Sequence, residues 1–295
     1  MRSQFKYHRP ASVKSAVAMK SELGEEAYFW AGGTDLMLQW KHEKIHPQHC
    51  IDITSIPNLN QISHQPDLLC IGGLTNLSDI ERADSDDPYL QTLASVARKM
   101  ATQQTRTLAT IAGNLCNGSP AADLLPPLIA MGAYLKVVGS NGCRELPVEQ
   151  LLLSPGRTSL EQSELVTEIC IPIETNQRAS SYRRIDRTVV DIALVSASAA
   201  ITVDSNQRID SAKVSLGAVA PTVIRSGQAE HLLKGCVLKD MDGEFLESVG
   251  QAAMSDATPI DDVRASADYR RAMVKVLVKQ VLEDILLSLS GDTND

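Results

Sequence analysis

Two glycine-bearing stretches hold the residues of this sequence best suited to chemistry. They are Ala31-Gly32-Gly33-Thr34-Asp35 and Thr110-Ile111-Ala112-Gly113-Asn114, and each follows an apolar run. Glycine permits positive φ and lets N–H groups approach a ligand, because no Cβ stands in the way. Successive N–H groups can form an anion-binding concavity, so the two loops together could clasp a diphosphate from both sides. The alternative interpretation is a pair of tight turns between strands and helices.

Neither stretch contains the G-x-G-x-x-G fingerprint or the P-loop pattern, so the residues alone indicate only a phosphate-bearing cofactor. Asp123 follows nine residues after Asn114, where a carboxylate could bind sugar hydroxyls. Its alternative role is the N-cap of the apolar segment that comes next. The basic run at residues 182–187 predicts a strand with Arg183 and Asp186 on opposite faces. Arg183 could reach a cofactor phosphate, or the run could form a charged, solvated edge strand.

A cluster of histidines raises the question of a metal site. His42, His46 and His49 precede Cys50, and i, i+4 spacing would place two imidazoles on one helix face. Pro47 interrupts such a helix, and two neighbouring lysines would repel a cation. We therefore predict a solvated loop and no metal. No histidine lies beside a nucleophile motif, so we predict no catalytic residue on this chain.

The composition excludes several classes of function. The chain has 295 residues, with 28 basic against 36 acidic side chains and a net charge of −8, which argues against nucleic-acid binding. No apolar stretch is long enough to span a membrane. The six cysteines lie at least 20 residues apart, which excludes a local zinc or iron–sulfur motif. They are expected to be free thiols in a reducing compartment, so a cytoplasmic location is predicted.

The hydrophobic pattern predicts the elements that must position these residues. A helix should run from Ser12 to Gly24, a second over 88–100, and a long third helix should close the chain. Ser140-Asn141-Gly142 predicts a hairpin. Strands and helices alternate without a regular βαβ rhythm, which favours a mixed α+β fold. The polar stretch after the strand at 165–173 predicts a boundary between domains at 1–175 and 176–295.

Beyond these patterns, the sequence resembles the FAD-binding (medium) subunit of molybdenum hydroxylases, of the xanthine dehydrogenase and carbon monoxide dehydrogenase type. The resemblance runs from Tyr7-His8-Arg9-Pro10 to the last helix. The matching motifs are residues 31–35, residues 110–123, Asp191-Ile192-Ala193, Gly217-Ala218-Val219-Ala220-Pro221-Thr222 and residues 264–271. The resemblance implies a PCMH-type FAD-binding domain of two α/β subdomains, followed by a smaller domain with an antiparallel sheet and helices.

The resemblance also implies the cofactor contacts. Both loops and their flanks would bind the FAD diphosphate and reach the isoalloxazine, and Asp123 would hold the sugar or ribityl hydroxyls. Val166 would contact the adenine side through its backbone, Arg183 would lie near the cofactor, and Ile192 would lie beside the flavin ring. The loop residues concerned are Phe29, Trp30, Ala31, Gly32, Gly33, Thr34, Asp35, Leu36, Thr110, Ile111, Ala112, Gly113 and Asn114.

Two positions depart from the family pattern. Ala112 replaces a usual glycine, so one close approach must tolerate a methyl group. Ile192 stands where some relatives carry a tyrosine over the flavin, and we hypothesise that this exposes the flavin to an acceptor such as NAD.

The resemblance implies partner chains: a molybdopterin-binding large subunit and a small subunit with [2Fe–2S] clusters. Electrons would pass from those clusters to FAD on this chain and on to NAD or another acceptor, after oxidation of a purine or other N-heterocycle. One alternative is a self-contained FAD-dependent oxidoreductase of the same fold. The other is a binding module that has lost the flavin.

Overall fold

The computed structural model describes residues 5–188 and 190–291, whose strands form three larger sheets and one two-stranded hairpin. The first sheet is parallel, with β3 (His49–Asp52) between β1 (Lys6–His8) and β2 (Ala27–Trp30). Helix α1 (Val13–Leu23) connects β1 to β2, and α2 (Leu36–Lys41) follows β2. A capping box between Ser12 and Ser15 starts α1, and Gly24 caps its end, as the sequence predicts.

The second sheet is antiparallel and has five strands in the order β4-β5-β10-β6-β7. Its strands are β4 (Ile62–Gln65), β5 (Leu68–Gly72), β6 (Tyr134–Gly139), β7 (Gly142–Pro147) and β10 (Leu165–Pro172). Five helices accompany it: α3 (Leu77–Glu81), α4 (Pro88–Lys99), α5 (Gln103–Arg106), α6 (Ile111–Cys116) and α7 (Leu125–Ala130). A small hairpin, β8 (Leu152–Ser154) with β9 (Arg157–Thr158), lies outside this sheet.

The third sheet is also antiparallel and carries the C-terminal helices. Its order follows the chain: β11 (Gln177–Ile185), β12 (Val195–Val203), β13 (Ile209–Gly217) and β14 (Ile224–Arg225). The helices are α8 (Gly227–Leu233), α9 (Gly243–Asp256) and α10 (Ala267–Ser290). The apolar face of α10 includes Val274, Val278 and Ile285, which are buried in the core of this unit.

The predicted mixed α+β fold is confirmed, as are the helix at 88–100, the Asn-Gly hairpin and the long last helix. Within the described ranges, no helix is both long and apolar enough to cross a membrane.

The five-stranded sheet unit contacts the third sheet through residues 120–126. The Ser215 hydroxyl donates to the Pro126 carbonyl over 2.7 Å, and the Ala218 N–H donates to the Pro120 carbonyl over 2.9 Å. Asp123 lies between these two contacts in the sequence. The third sheet therefore fixes the segment that carries Asp123.

Candidate cofactor-binding site

The two glycine loops touch each other through their backbones. A Cβ placed on Gly32 would lie 1.9 Å from the carbonyl oxygen of Leu108, just before the second loop. Gly33 has a φ of +68°, and a Cβ there would lie 2.8 Å from the indole ring of Trp30. Any larger residue at these positions would push the loops apart or strain the turn. The sequence places the loops about 80 residues apart, and the fold brings them into contact.

The first loop offers unused backbone donors. Among the described residues, no hydrogen bond is formed by the N–H groups of residues 32–36. Backbone N–H groups without a partner normally bond to water or to a ligand. A run of them in a turn with positive φ forms a concavity for an anion. The first loop therefore has amides free for an anion, and the binding of a phosphate there stays a prediction.

The second loop differs, because its N–H groups already have acceptors. Ile111 donates to the Thr75 carbonyl, Ala112 to the Gly73 carbonyl and Gly113 to the Thr110 hydroxyl, over 3.0 to 3.1 Å. The N–H of Asn114 donates to the Thr110 carbonyl in the same way. Thr110 thus acts as the N-cap of α6. The amides at residues 111–114 are thus occupied by the protein itself, and contact of the second loop with a diphosphate stays a prediction.

A third glycine stretch, Gly72-Gly73-Leu74-Thr75-Asn76, supports the second loop and was not predicted. Asn76 forms an isolated bridge with Thr110. A Cβ on Gly73 would lie 2.6 Å from the Val166 carbonyl oxygen and 3.3 Å from the Ala112 Cβ. The methyl group of Ala112 is accommodated because residue 73 has no side chain. A Gly-Gly pair directly after a strand, as in the first loop, is the signal that could have revealed this segment.

Three buried side-chain oxygens in residues 75–78 and the second loop have no hydrogen-bond partner within the described part of the chain. They are Thr75 Oγ1, Ser78 Oγ and Asn114 Oδ1. A buried polar atom without a hydrogen bond costs about 1–3 kcal/mol. Unpartnered oxygens around the second loop and free amides in the first loop are both groups that a polar cofactor would satisfy, so the residues present fit such a group.

Asp123 is held by two side chains of β11. Its carboxylate accepts the Tyr182 hydroxyl at 2.5 Å and Arg184 Nη1 at 2.8 Å. Burial raises the pKa of the Asp123 carboxyl above its usual value, and Arg184 and Tyr182 limit that rise. The N-cap of α7 is Leu124, so Asp123 does not have the capping role that was its alternative. Each oxygen keeps lone-pair capacity for a further donor.

Arg183 does not reach Asp123. Its guanidinium forms two hydrogen bonds with Asp284 of α10, over 2.8 and 2.6 Å. Successive strand residues point to opposite faces, so Arg183 faces α10 while Tyr182 and Arg184 face Asp123. The position of Arg183 near the cofactor stays a prediction, and the arginine that meets Asp123 is Arg184, which alternation from Tyr182 places on the same face. The side chain of Ile192, in the loop after β11, is 56% exposed.

The flanks of the first loop serve mainly in packing. Trp30 and Leu36 line a small apolar cavity together with Phe5, Tyr28 and Trp40. Phe29 packs against the cluster under α1. Thr34 and Asp35 lie in the turn, and Asp35 is the N-cap residue of α2 but makes no side-chain cap bond.

His42 and His49, which are close in the sequence, lie in different elements. A ring nitrogen of His49, in β3, lies 2.9 Å from a ring nitrogen of His8. His42 ends α2.

Together, the free amides, the touching glycine loops and the unpartnered oxygens define a site for a large, phosphate-bearing cofactor. The sequence matches the family described as the FAD binding domain in molybdopterin dehydrogenase over residues 3–174. It also matches the CO dehydrogenase flavoprotein C-terminal domain over residues 180–285.

Individual relatives cover nearly the whole chain. The carbon monoxide dehydrogenase medium chain of Hydrogenophaga pseudoflava is 32% identical over 279 residues, 95% of this chain and 96% of that one. The xanthine dehydrogenase FAD-binding subunit of Escherichia coli O157:H7 is 27% identical over 288 residues, with 97% of each chain covered. A solved carbon monoxide dehydrogenase chain from H. pseudoflava superposes with a TM-score of 0.89 at 31% identity, over 96% of this chain and 97% of that one. This chain belongs to the family of FAD-binding medium subunits of molybdenum hydroxylases, and it is an oxidoreductase subunit.

Proposed function

We propose that the first glycine loop binds the FAD diphosphate through its free amides, while the second loop and residues 72–76 brace it. The observation that carries this proposal is the run of N–H groups at residues 32–36 without acceptors in the described chain. Gly32 lies against the Leu108 carbonyl, so the bracing is direct. Thr75, Ser78 and Asn114 would turn their unpartnered oxygens to polar groups of the cofactor.

Asp123 would accept a hydrogen bond from a sugar or ribityl hydroxyl, since Tyr182 and Arg184 fix the direction of its carboxylate. Arg183 near the cofactor stays a separate prediction. Val166 would contribute its backbone beside Gly73. These contacts bind and orient the cofactor, and none of them moves a proton.

We infer that the chain works with a molybdopterin-binding large subunit and a small [2Fe–2S] subunit. The relatives named above are the medium chain of a carbon monoxide dehydrogenase and the FAD-binding subunit of a xanthine dehydrogenase. The chemistry that FAD supplies when bound is electron transfer from the [2Fe–2S] clusters to an acceptor. A purine or other N-heterocycle as substrate, a cytoplasmic location and the domain boundary at 175/176 stay predictions.

We further propose NAD as the acceptor, because Ile192 is exposed and lacks the ring that would cover the flavin. Anaerobic stopped-flow mixing of the reduced complex with NAD tests this. Flavin reoxidation with formation of NADH supports the proposal. Reoxidation by a quinone or dye without reaction with NAD contradicts it.

The test of FAD binding compares Gly32→Ala with Gly227→Ala. Gly227 has open space around its Cβ position, whereas a Cβ at Gly32 would overlap the Leu108 carbonyl. Such overpacking costs about 1–3 kcal/mol, so FAD affinity should fall roughly ten- to hundredfold in Gly32→Ala. Gly227→Ala should bind FAD like the wild type. Affinity is measured by quenching of flavin fluorescence on titration of the flavin-free protein.

Equal FAD affinity in both variants would contradict the proposal that the first glycine loop binds FAD. Thermal unfolding of each flavin-free variant shows whether it is folded. If the purified chain were itself reduced by a substrate without partners, the self-contained oxidoreductase would replace the proposed subunit role.

A further inference from the structure

Two buried cysteines face each other across neighbouring strands of the five-stranded sheet. Cys70 of β5 pairs directly with Cys170 of β10, and their Sγ atoms are 3.8 Å apart. Both residues are fully buried. The residues on either side of them belong to the main core: Leu69, Ile71, Ile169 and Ile171. The thiols therefore lie on the opposite face of the sheet.

Glu168 completes a cluster of ligand atoms on that face. It precedes Cys170 by two residues on β10, and its Oε2 lies 3.6 Å from the Cys170 Sγ. Ligand atoms from the three residues all lie within 4.8 Å of one another. A tetrahedral zinc ion with Zn–S about 2.3 Å and Zn–O about 2.1 Å would separate two sulfurs by about 3.8 Å, and sulfur from oxygen by about 3.6 Å. The Sγ–Sγ distance of 3.8 Å and the Sγ–Oε2 distance of 3.6 Å in this structure agree with both values.

The charge of the cluster also suits a divalent cation. Two thiolates and a carboxylate carry three negative charges, and zinc neutralises two of them. Lys136 supplies the remaining positive charge, since its Nζ lies 2.6 Å from Glu168 Oε2. A neutral assembly avoids the cost of a net charge in a buried site. Lys136 also has the geometry of an outer partner that orients a metal ligand.

The cluster has a route to solvent on one side. The side chains of Lys136 and Glu168 are 42% and 30% exposed, whereas both cysteines are buried. Tyr134 of β6 is the cross-strand neighbour of Cys170. An ion held by the two sulfurs and Glu168 would have its fourth position on the side of the exposed groups, where a water can complete the tetrahedron.

We propose that Cys70, Glu168 and Cys170 form a zinc site that joins β5 to β10. These are the strands that lead into Gly73 and out of Val166, so the ion would fix the frame behind the second glycine loop. The cysteines are 100 residues apart, which is why local spacing of cysteines could not reveal the site. The proposal revises the prediction of no metal and does not depend on FAD binding.

Cobalt substitution tests the site. The reduced, metal-free protein carries Cys116→Ser and Cys143→Ser, which remove the exposed thiols. Titration with Co²⁺ should give a thiolate-to-cobalt charge-transfer band that saturates at one equivalent and disappears when Zn²⁺ is added. Difference spectra remove the flavin absorption. The band should be lost in Cys70→Ser and Cys170→Ser and kept in Cys50→Ser, the matched buried control on the three-stranded sheet.

A further variant tests the site even if the cysteine variants do not fold. Lys136→Met keeps all three ligands, and loss of an outer partner should weaken Co²⁺ binding by about 10- to 100-fold. Absence of the band, a band unchanged in Cys70→Ser, or unchanged affinity in Lys136→Met would overturn the proposal. A Cys70–Cys170 disulfide found by peptide mass spectrometry of the purified protein would overturn it as well.

Discussion

The two glycine loops look alike in sequence but differ in how their backbone donors are used. In the first loop, the N–H groups of residues 32–36 have no acceptor within the described residues. In the second loop, residues 111–114 donate to Thr75, Gly73 and Thr110. A glycine pattern therefore identifies a place where the backbone can approach something closely, and the hydrogen-bond partners decide whether that is a ligand or the protein itself.

The neighbourhood of Asp123 resembles the second loop in this respect. Its carboxylate already has Tyr182 and Arg184 as donors. We therefore propose that the first loop makes the main contacts with FAD. We call the second loop with the Asp123 cluster the frame, because most of its polar groups bond to the protein, although Asp123 keeps capacity for a cofactor hydroxyl. Substitutions in the frame should reduce stability, whereas substitutions in the first loop should mainly reduce FAD affinity.

The largest effect is expected at Arg184. In its ion pair with Asp123 the two side chains are 4% and 11% exposed, so Arg184→Leu leaves a carboxylate buried beside an apolar group. Breaking a buried pair in this way costs about 3–5 kcal/mol of unfolding free energy. Arg183→Leu is the matched variant, because its pair with Asp284 is 44% and 30% exposed and should cost less than about 1 kcal/mol. Urea unfolding of the flavin-free proteins measures both.

Equal losses in the two variants would show that the Asp123 cluster is not part of the frame. A larger loss in Arg183→Leu would show that the pair with Asp284 contributes more to stability than the pair with Asp123.

A smaller effect should separate the glycines of the two loops. Gly33 has positive φ and faces the Trp30 ring, so Gly33→Ala should cost about 1–2 kcal/mol and weaken FAD binding roughly tenfold. Gly113 lies inside α6, where alanine is about 1 kcal/mol better than glycine. A Cβ there would lie 2.9 Å from the Thr110 hydroxyl, whose cap bond is worth about as much. Gly113→Ala should therefore change little in flavin titration or urea unfolding.

If Gly113→Ala lost FAD as strongly as Gly33→Ala, the second loop would belong to the ligand-facing part of the site.

Local rules predicted the elements well. Ser12 and Gly24 bound α1, and an Asn-Gly turn joins β6 to β7, because caps and tight turns depend on neighbouring residues. The position of the first loop also followed from the sequence.

Long-range contacts limited the rest of the prediction. The pairing of Arg184 with Asp123 depends on which face of β11 meets the 120–126 segment, and the occupied amides of the second loop depend on Gly73 and Thr75. A single sequence does not specify such pairings, because partners 36 to 61 residues away are brought together only by the sheets.

The smallest predicted effect concerns pH and tests the electrostatics of the frame. Burial raises the pKa of Asp123 in the folded protein despite Arg184 and Tyr182. Between its unfolded and folded pKa values, Asp123 binds more proton in the folded state, so its contribution to stability grows as pH falls. The free energy of unfolding of the wild type, relative to Asp123→Asn, should therefore rise on acidification from pH 7, by no more than about 1.4 kcal/mol per pH unit. Urea unfolding of both proteins at a series of pH values gives this difference and cancels the titration of the other groups. If this relative free energy instead falls as the pH is lowered, Arg184 outweighs burial and holds the Asp123 carboxylate ionised. The cluster would then present a fixed negative charge to the cofactor.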